Sequence, residues 1–244
     1  MCGSGGKVRS PEDLRMNGVA DHHRYERKFA ITGASLAEIE HHIRHHPALF
    51  FAEYAPRTVN NLYLDTPGLW NYHENVNGHS HRSKLRARWY GQLFGDVPQA
   101  ILERKTRHGH VGTKQSARLA PFEFRQSVSA PDVRGWLDRS ALPETLRYEA
   151  RQAEPTLVNH YRRQYLRSAD RQVRLTIDSD LAFFRFQRHT NYFLARIEAP
   201  GLVVVELKYS DAASEEAAAV ANQLPFRMTR MSKYVFGLNA VGAG

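Results

Sequence analysis

The stretch Lys84-Leu85-Arg86-Ala87-Arg88-Trp89-Tyr90 alternates polar and apolar residues. In a strand, successive side chains point to opposite faces. Lys84, Arg86, Arg88 and Tyr90 then share one face, and Leu85, Ala87 and Trp89 the other. The same two-residue period recurs along the chain. Ile101, Glu103 and Lys105 oppose Leu102, Arg104 and Thr106, and Leu157, Asn159, Tyr161 and Arg163 share a face. Arg174, Thr176 and Asp178 oppose Val173, Leu175 and Ile177, while Val204, Glu206 and Lys208 oppose Val203, Val205 and Leu207. Rows of arginine and lysine suit a multiply charged anion. A guanidinium grips phosphate oxygens bidentately and stays ionised. The single carboxylates among them are the oxygen ligands that hard divalent cations take.

Two arrangements satisfy this alternation. In a half-solvated sheet the apolar face packs on the core and the cations meet water. In a sheet that closes on itself the cations line a lumen and the apolar faces pack on surrounding helices. A dry ring of cations would cost several kcal/mol per charge, so the second arrangement requires a wet lumen and a polyanion. The alternation by itself fits both.

The elements that position these residues read as strands with few long helices, an α+β class built on an antiparallel sheet or barrel with helices outside. Ser35 and Glu38 form a capping box, followed by Leu36, Ile39 and Ile43 at helical spacing and then Pro47. A second helix is predicted from about Asp211 to Leu224, Ala-rich with acidic residues at its start. Shorter helices are predicted near 131–139 and 143–151.

At 244 residues, one domain is expected. Residues 1–22, rich in Gly, Ser, Pro and charge, read as a flexible leader. The domain spans 23–238, and 239–244 is a flexible tail. The N-terminus has no apolar signal region, and no apolar run approaches the ~20 residues of a membrane helix. Cys2 is the sole cysteine, which excludes an intrachain disulfide and fits a cytoplasmic location. A net charge of +9 points to a polyanionic partner.

Several motifs are set aside. His41, His42, His45 and His46 read as the solvated polar face of the first helix. His79, His81, His108 and His110 read as turn residues. Gly109-x-x-Gly112 lacks the Gly-Lys-Ser/Thr ending of a phosphate loop. Trp136 reads as core, and Trp70 and Tyr72 as packing residues.

Eight motifs in order resemble the VTC domain, the polyphosphate-polymerase branch of the triphosphate tunnel metalloenzymes (CYTH-like). They are Tyr25-Glu26-Arg27-Lys28-Phe29, Asn61-Leu-Tyr-Leu-Asp65-Thr66, Lys84–Tyr90, Leu102-Glu103-Arg-Lys105, Tyr161-Arg-Arg163, Arg174-Leu-Thr-Ile-Asp178, Val205-Glu206-Leu-Lys208 and Ser232-Lys233-Tyr234. The resemblance covers roughly residues 24–237. It implies a closed antiparallel eight-stranded β-barrel tunnel, open at both ends, with helices packed outside. It implies a metal-dependent phosphotransferase that passes the γ-phosphoryl of a nucleoside triphosphate such as ATP to a growing polyphosphate chain, helped by Mn2+ or Mg2+. Lys28, Arg86, Arg88, Arg163, Arg174 and Lys233 would be its catalytic cations. Lys105, Lys114, Lys208, Arg230, Tyr161 and Ser232 would bind substrate. Glu206, then Glu26 and Glu103, would be metal ligands, and Asp178 could simply end a strand. Hydrolytic tunnel enzymes typically open with ExExK, whereas this chain reads Arg24-Tyr-Glu26-Arg-Lys28. The missing carboxylate favours the polymerase branch over a tunnel triphosphatase or polyphosphatase. A non-catalytic polyphosphate sensor is the third reading. Nucleic acid is not expected, since no helix-turn-helix, zinc-finger or RNP signature is present. Any membrane partner, such as the eukaryotic complex has, would be a separate chain.

Overall fold

The computed structural model describes residues 24–108, 111–187, 191, 193 and 196–242. The leader and His110 lie outside them. In chain order the elements are β1 (Arg24–Ile31), α1 (Leu36–Arg44), β2 (Phe51–Asp65), α2 (Trp70–Val76), β3 (His81–Tyr90), β4 (Gly95–Val97), β5 (Ala100–His108) and β6 (Val111–Leu119). Then follow β7 (Phe122–Phe124), α3 (Ala130–Asp138), α4 (Glu144–Gln152), β8 (Glu154–Arg167), β9 (Arg174–Arg185), β10 (Arg196–Glu198), β11 (Val203–Ser210), α5 (Ser214–Gln223) and α6 (Lys233–Ala240). A 3-10 turn, Asp211–Ala213, leads into α5.

The main sheet runs β1-β11-β9-β8-β2-β3-β5-β6, with β10 added to β9, and the described pairings are antiparallel. The closed eight-stranded barrel is not what forms. The sheet is nine-stranded and open, with no pairing between β1 and β6 among the described residues. The outer edge of β1 is occupied instead. Thr229 donates its N–H to Lys28 O at 2.7 Å, and its hydroxyl accepts from Ala30 N at 2.8 Å. These contacts take the Lys28 carbonyl and the Ala30 N–H, which are no longer available to another strand.

The sheet nevertheless curls strongly. Strands β1 and β5 are six steps apart, which in a flat sheet would separate them by roughly 29 Å. Yet Lys105 Nζ on β5 lies 2.9 Å from Glu26 Oε2 on β1. The face carrying the cations is therefore concave, and side chains bridge the seam that the backbone leaves open.

The convex face is apolar and covered by helices. Phe29, Val205, Leu207, Leu175 and Ile177 pack with Ile39 and Ile43 of α1 and Ala217 and Val220 of α5. Leu85, Ala87, Trp89 and Leu102 pack with Val133, Trp136 and Leu137 of α3, Leu146 of α4 and the β4–β7 ribbon. Each buried Phe, Leu, Ile or Val among them is worth about 1.5–3 kcal/mol of hydrophobic stabilisation. The predicted capping box is present: Ser35 Oγ accepts from Glu38 N, and the Glu38 carboxylate accepts from Ser35 N at 2.7 Å.

Two helices depart from the expectation of an outer shell. Tyr72 of α2 and Tyr234 and Leu238 of α6 join Val59, Tyr63, Leu157, Tyr161, Phe183 and Val204 in one cluster. By the two-residue period these strand positions lie on the concave face with the cations. The helices thus fill one end of the concavity, and it is not open at both ends. Gly237 lets α6 come this close: a Cβ there would lie 2.6 Å from Leu157 Cδ2 and closer still to Phe183.

Two packing expectations fail. Trp70 is 65% exposed, because it opens α2 on the solvent side. His46 is buried, not solvated. It lies one position beyond the α1 C-cap, where its Nε2 meets Val220 O at 3.2 Å and its Nδ1 accepts from Ala48 N.

Candidate functional site

Strands β1, β3, β5, β6, β8, β9 and β11 each present charged residues to the concavity, and α6 adds Lys233. The charges form interlocked clusters. Arg163 grips Asp178 bidentately, Nε to Oδ1 at 2.5 Å and Nη2 to Oδ2 at 2.7 Å, while Lys233 Nζ lies 2.5 Å from Asp178 Oδ2. Asp178 does not end a strand. β9 continues through it, and its carboxylate is fully buried as the counter-charge of two cations. Burial alone would raise its pKa, but Arg163 and Lys233 hold it below the usual carboxylate range.

Glu206 accepts four cations. Lys28 Nζ lies 3.0 Å and Lys233 Nζ 3.5 Å from Oε1, and Lys208 Nζ lies 3.1 Å and Arg163 Nη2 3.3 Å from Oε2. Lys28 also reaches Glu26 Oε1 at 3.1 Å, so one ammonium bridges the two carboxylates. Burial disfavours the charged form of each, yet the surrounding cations keep both well below the ordinary carboxylate value.

Glu103 anchors the facing wall. Arg86 donates to its Oε2 at 2.8 Å, Arg88 Nη1 stands at 3.6 Å, and Lys114 meets Oε1. Behind this wall Arg88 Nε donates to Asn61 Oδ1 at 2.8 Å, and Asn61 donates to Asn159 Oδ1 at 2.7 Å. The Asn159 amide and the Thr176 hydroxyl are buried polar groups with an atom that no protein group satisfies. Tyr161 is buried with its ring 5.3 Å from the Arg163 guanidinium and 5.0 Å from Lys233 Nζ. Burial would raise its phenol pKa, but Arg163, Arg88 and Lys233 bring it below the ordinary value.

Of the residues singled out from sequence, Lys28, Arg86, Arg88, Lys105, Lys114, Arg163, Lys208, Lys233, Tyr161, Glu26, Glu103 and Glu206 are brought together. Arg174 sits toward the rim, one-third exposed, with Nη2 at 3.6 Å from Glu53 Oε1. Arg230 is exposed, in the segment before α6. Ser232 is the N-cap of α6, its Oγ accepting from Val235 N and, at 2.9 Å, from Lys84 Nζ.

Lys84 deserves a place that motif reading did not assign it. Burial and then the charges of Lys28, Lys105, Arg86 and Arg82 push its pKa well down. No carboxylate pairs with it among the described residues. Its signal in the sequence is its position two residues before Arg86 on the same face. Asp65 has a different duty. It accepts from the N–H groups of Thr66, Asn71 and Tyr72 and from the Tyr234 hydroxyl at 2.6 Å, tying α2 and α6 to β2.

The profile of the VTC domain matches residues 23–241. The chain belongs to the VTC domain family. This places it among the triphosphate tunnel (CYTH-like) proteins. Among similar solved structures, the one that passes a TM-score of one half shares the fold at low identity. A candidate adenylate cyclase from Vibrio parahaemolyticus superposes with a TM-score of 0.52 at 10% identity, over 89% of this chain and 99% of that one. The PH1819 protein of Pyrococcus horikoshii reaches 0.49 at 14%, over 89% and 99%. A candidate adenylyl cyclase from Hippeastrum, described as having a dominant triphosphatase activity, reaches 0.47 at 12%, over 90% and 96%. No curated protein matches the chain. No helix among the described residues is long and apolar enough to cross a membrane.

Glu26 and Glu206 are the candidate metal ligands of this VTC domain that share a contact. No cluster of three or more metal-ligating side chains occurs among the described residues. Glu26 and Glu206, however, converge on Lys28, and a divalent ion of the Mg2+ kind is commonly held by one or two carboxylates plus substrate phosphates. Glu103, the third candidate, is held on the facing wall against Arg86, Arg88 and Lys114.

Proposed function

We propose that this VTC domain is a polyphosphate polymerase, transferring the γ-phosphoryl of a nucleoside triphosphate to a growing polyphosphate chain held in the basic concavity. The observation that carries this reading is the excess of cations over carboxylates on one curled, partly exposed face. Phosphoryl transfer needs positioning and charge neutralisation more than covalent help. Arg86, Arg88 and Arg163 offer planar forks for non-bridging phosphate oxygens, and Lys28, Lys84, Lys208 and Lys233 supply point charges between them. Lys105 and Lys114, more exposed, would guide the chain along the seam.

The carboxylates divide the labour. Asp178 and Glu103, almost wholly buried, hold Arg163, Lys233, Arg86 and Arg88 in place before substrate arrives. Like charges crowded without them would splay apart. Glu206 and Glu26 would hold Mn2+ or Mg2+, which neutralises charge on the transferring group. The lysine contacts they now make would pass to phosphate oxygens.

The test is the product. Purified protein incubated with ATP and Mn2+ should yield long phosphate chains on a sizing gel, and Arg86→Ala or Lys233→Ala should lower the yield by about 100-fold or more, from the loss of a charge-assisted contact plus misplaced neighbours. Orthophosphate as the sole product would replace this reading with a tunnel triphosphatase. Unchanged chain synthesis in both variants would remove these residues from the site.

A further inference from the structure

The concavity is closed at one end by α2 and α6, and its other end has a different chemistry. Along β8 the inward positions run from Leu157, under α6, through Asn159, Tyr161 and Arg163 to Tyr165. At this far end Tyr165 faces Tyr54 of β2, their rings edge to face at 5.9 Å. Tyr90, the last residue of β3, lies on the same side. The Arg57 guanidinium stands 5.8 Å from the Tyr54 and Tyr90 ring centroids and 5.9 Å from that of Tyr165. No carboxylate pairs with Arg57 among the described residues, and these rings are its surroundings. All four side chains are partly exposed.

The strand itself is bent to make this arrangement. The β2–β8 register shifts between Ala52 and Tyr54 and again between Tyr54 and Arg57, with Pro56 inside the second irregularity. Bulges of this kind re-aim side chains beside functional sites. In regular pairing Tyr54 and Arg57, three residues apart, would point to opposite faces. The irregularity puts both against Tyr165.

A phosphate chain has no use for such a group. Aromatic faces and a guanidinium plane stack on planar heterocycles. We infer that Tyr54, Tyr90, Tyr165 and Arg57 form the subsite for the nucleobase of a nucleoside triphosphate, which enters base-outward with its phosphates directed past Arg163 toward α6. The register places Arg57 opposite Arg163, so a triphosphate seated on the cations has its nucleoside within reach of the rings. This deepens the proposed function and rests on it.

The experiment compares two ligands that share their phosphates. ATP and inorganic tripolyphosphate are titrated calorimetrically into the wild type, a Tyr54→Ala/Tyr90→Leu variant and a Tyr54→Phe/Tyr90→Phe variant, with unfolding curves confirming that each folds. The ATP affinity of the first variant should fall about tenfold, the worth of one stacked base, while its tripolyphosphate affinity stays within twofold and the phenylalanine variant keeps both. Equal changes for the two ligands, or no change for either, would overturn the nucleobase subsite and leave the phosphate site standing. Failure of the wild type to bind either ligand would overturn the functional reading itself, and the subsite with it. Should the first variant not fold, Tyr90→Leu alone carries the same comparison.

Discussion

At the scale of single residues, buried charge dominates. Asp178 is fully buried against Arg163 and Lys233, so Asp178→Asn leaves these two cations with only their longer contacts to Glu206, at 3.3 and 3.5 Å. Breaking a buried pair in this way costs about 3–5 kcal/mol, and urea unfolding of the variant should show a loss of that order. The pH dependence follows from the same contacts. Asp178, Glu103, Glu206 and Glu26 all have folded pKa values below their ordinary ones. As pH falls, the unfolded chain therefore takes up protons first. Their contribution to stability is complete above roughly pH 5 and drains away below about pH 4, toward the folded values. An acid titration of stability should be flat near neutrality and fall steeply below pH 4; a midpoint near neutrality would contradict the ion-pair network. Lys84 has the opposite leaning. Burial and neighbouring cations lower its pKa, and a bound anion would raise it again. Tripolyphosphate binding should then draw a proton at alkaline pH, between the lowered value and the ordinary ~10.4. Calorimetry in two buffers of different ionisation enthalpy measures that uptake, and Lys84→Met should reduce it, leaving the share of Lys208, whose pKa burial also lowers.

At the scale of elements, what sequence pattern conveys is local. The Ser35–Glu38 box and the Ala-rich run after Ser214 are helix signals complete within a few residues, and both helices form where those signals lie. The alternation around Arg86 likewise identifies a strand and the residues sharing its face. It does not identify which face is concave, because that depends on partners far away in sequence. Nor does it reveal α6. Ser232-Lys233-Tyr234 reads as one more motif, and only the fold shows Ser232 capping a helix whose Gly237 presses against Phe183 and Leu157. The loop on the outer edge of β1 is fastened through Thr229, which meets that strand some two hundred positions earlier, a contact with no periodic trace. The bulges that turn Tyr54 and Arg57 together are invisible for the same reason. Gly237→Ala tests how tightly α6 is held. Overpacking there should cost about 1–3 kcal/mol, and since Lys233 begins the same helix, tripolyphosphate affinity should drop alongside the melting temperature. A variant as stable as wild type would mean that α6 is free to lift from the sheet.

At the scale of the whole molecule, the net charge of +9 has a location. Apolar residues cover one side of a curled sheet, helices cover them in turn, and many of the cations collect on the other side with too few carboxylates to balance them. Such a face favours a polyanion of high charge density over a single phosphate. Its affinity should fall with rising salt as exposed charges are screened, less steeply than on an open surface because the innermost pairs are shielded. The most direct measurement is calorimetric titration of tripolyphosphate into wild type and into Arg88→Gln, whose guanidinium lies deep in the concavity between Glu103 and Asn61. The expected result is saturable binding by wild type that weakens by about 10- to 100-fold in the variant, the worth of a hydrogen bond to a charged group. Equal affinity in the two proteins would contradict the claim that the inward cations hold the phosphate chain.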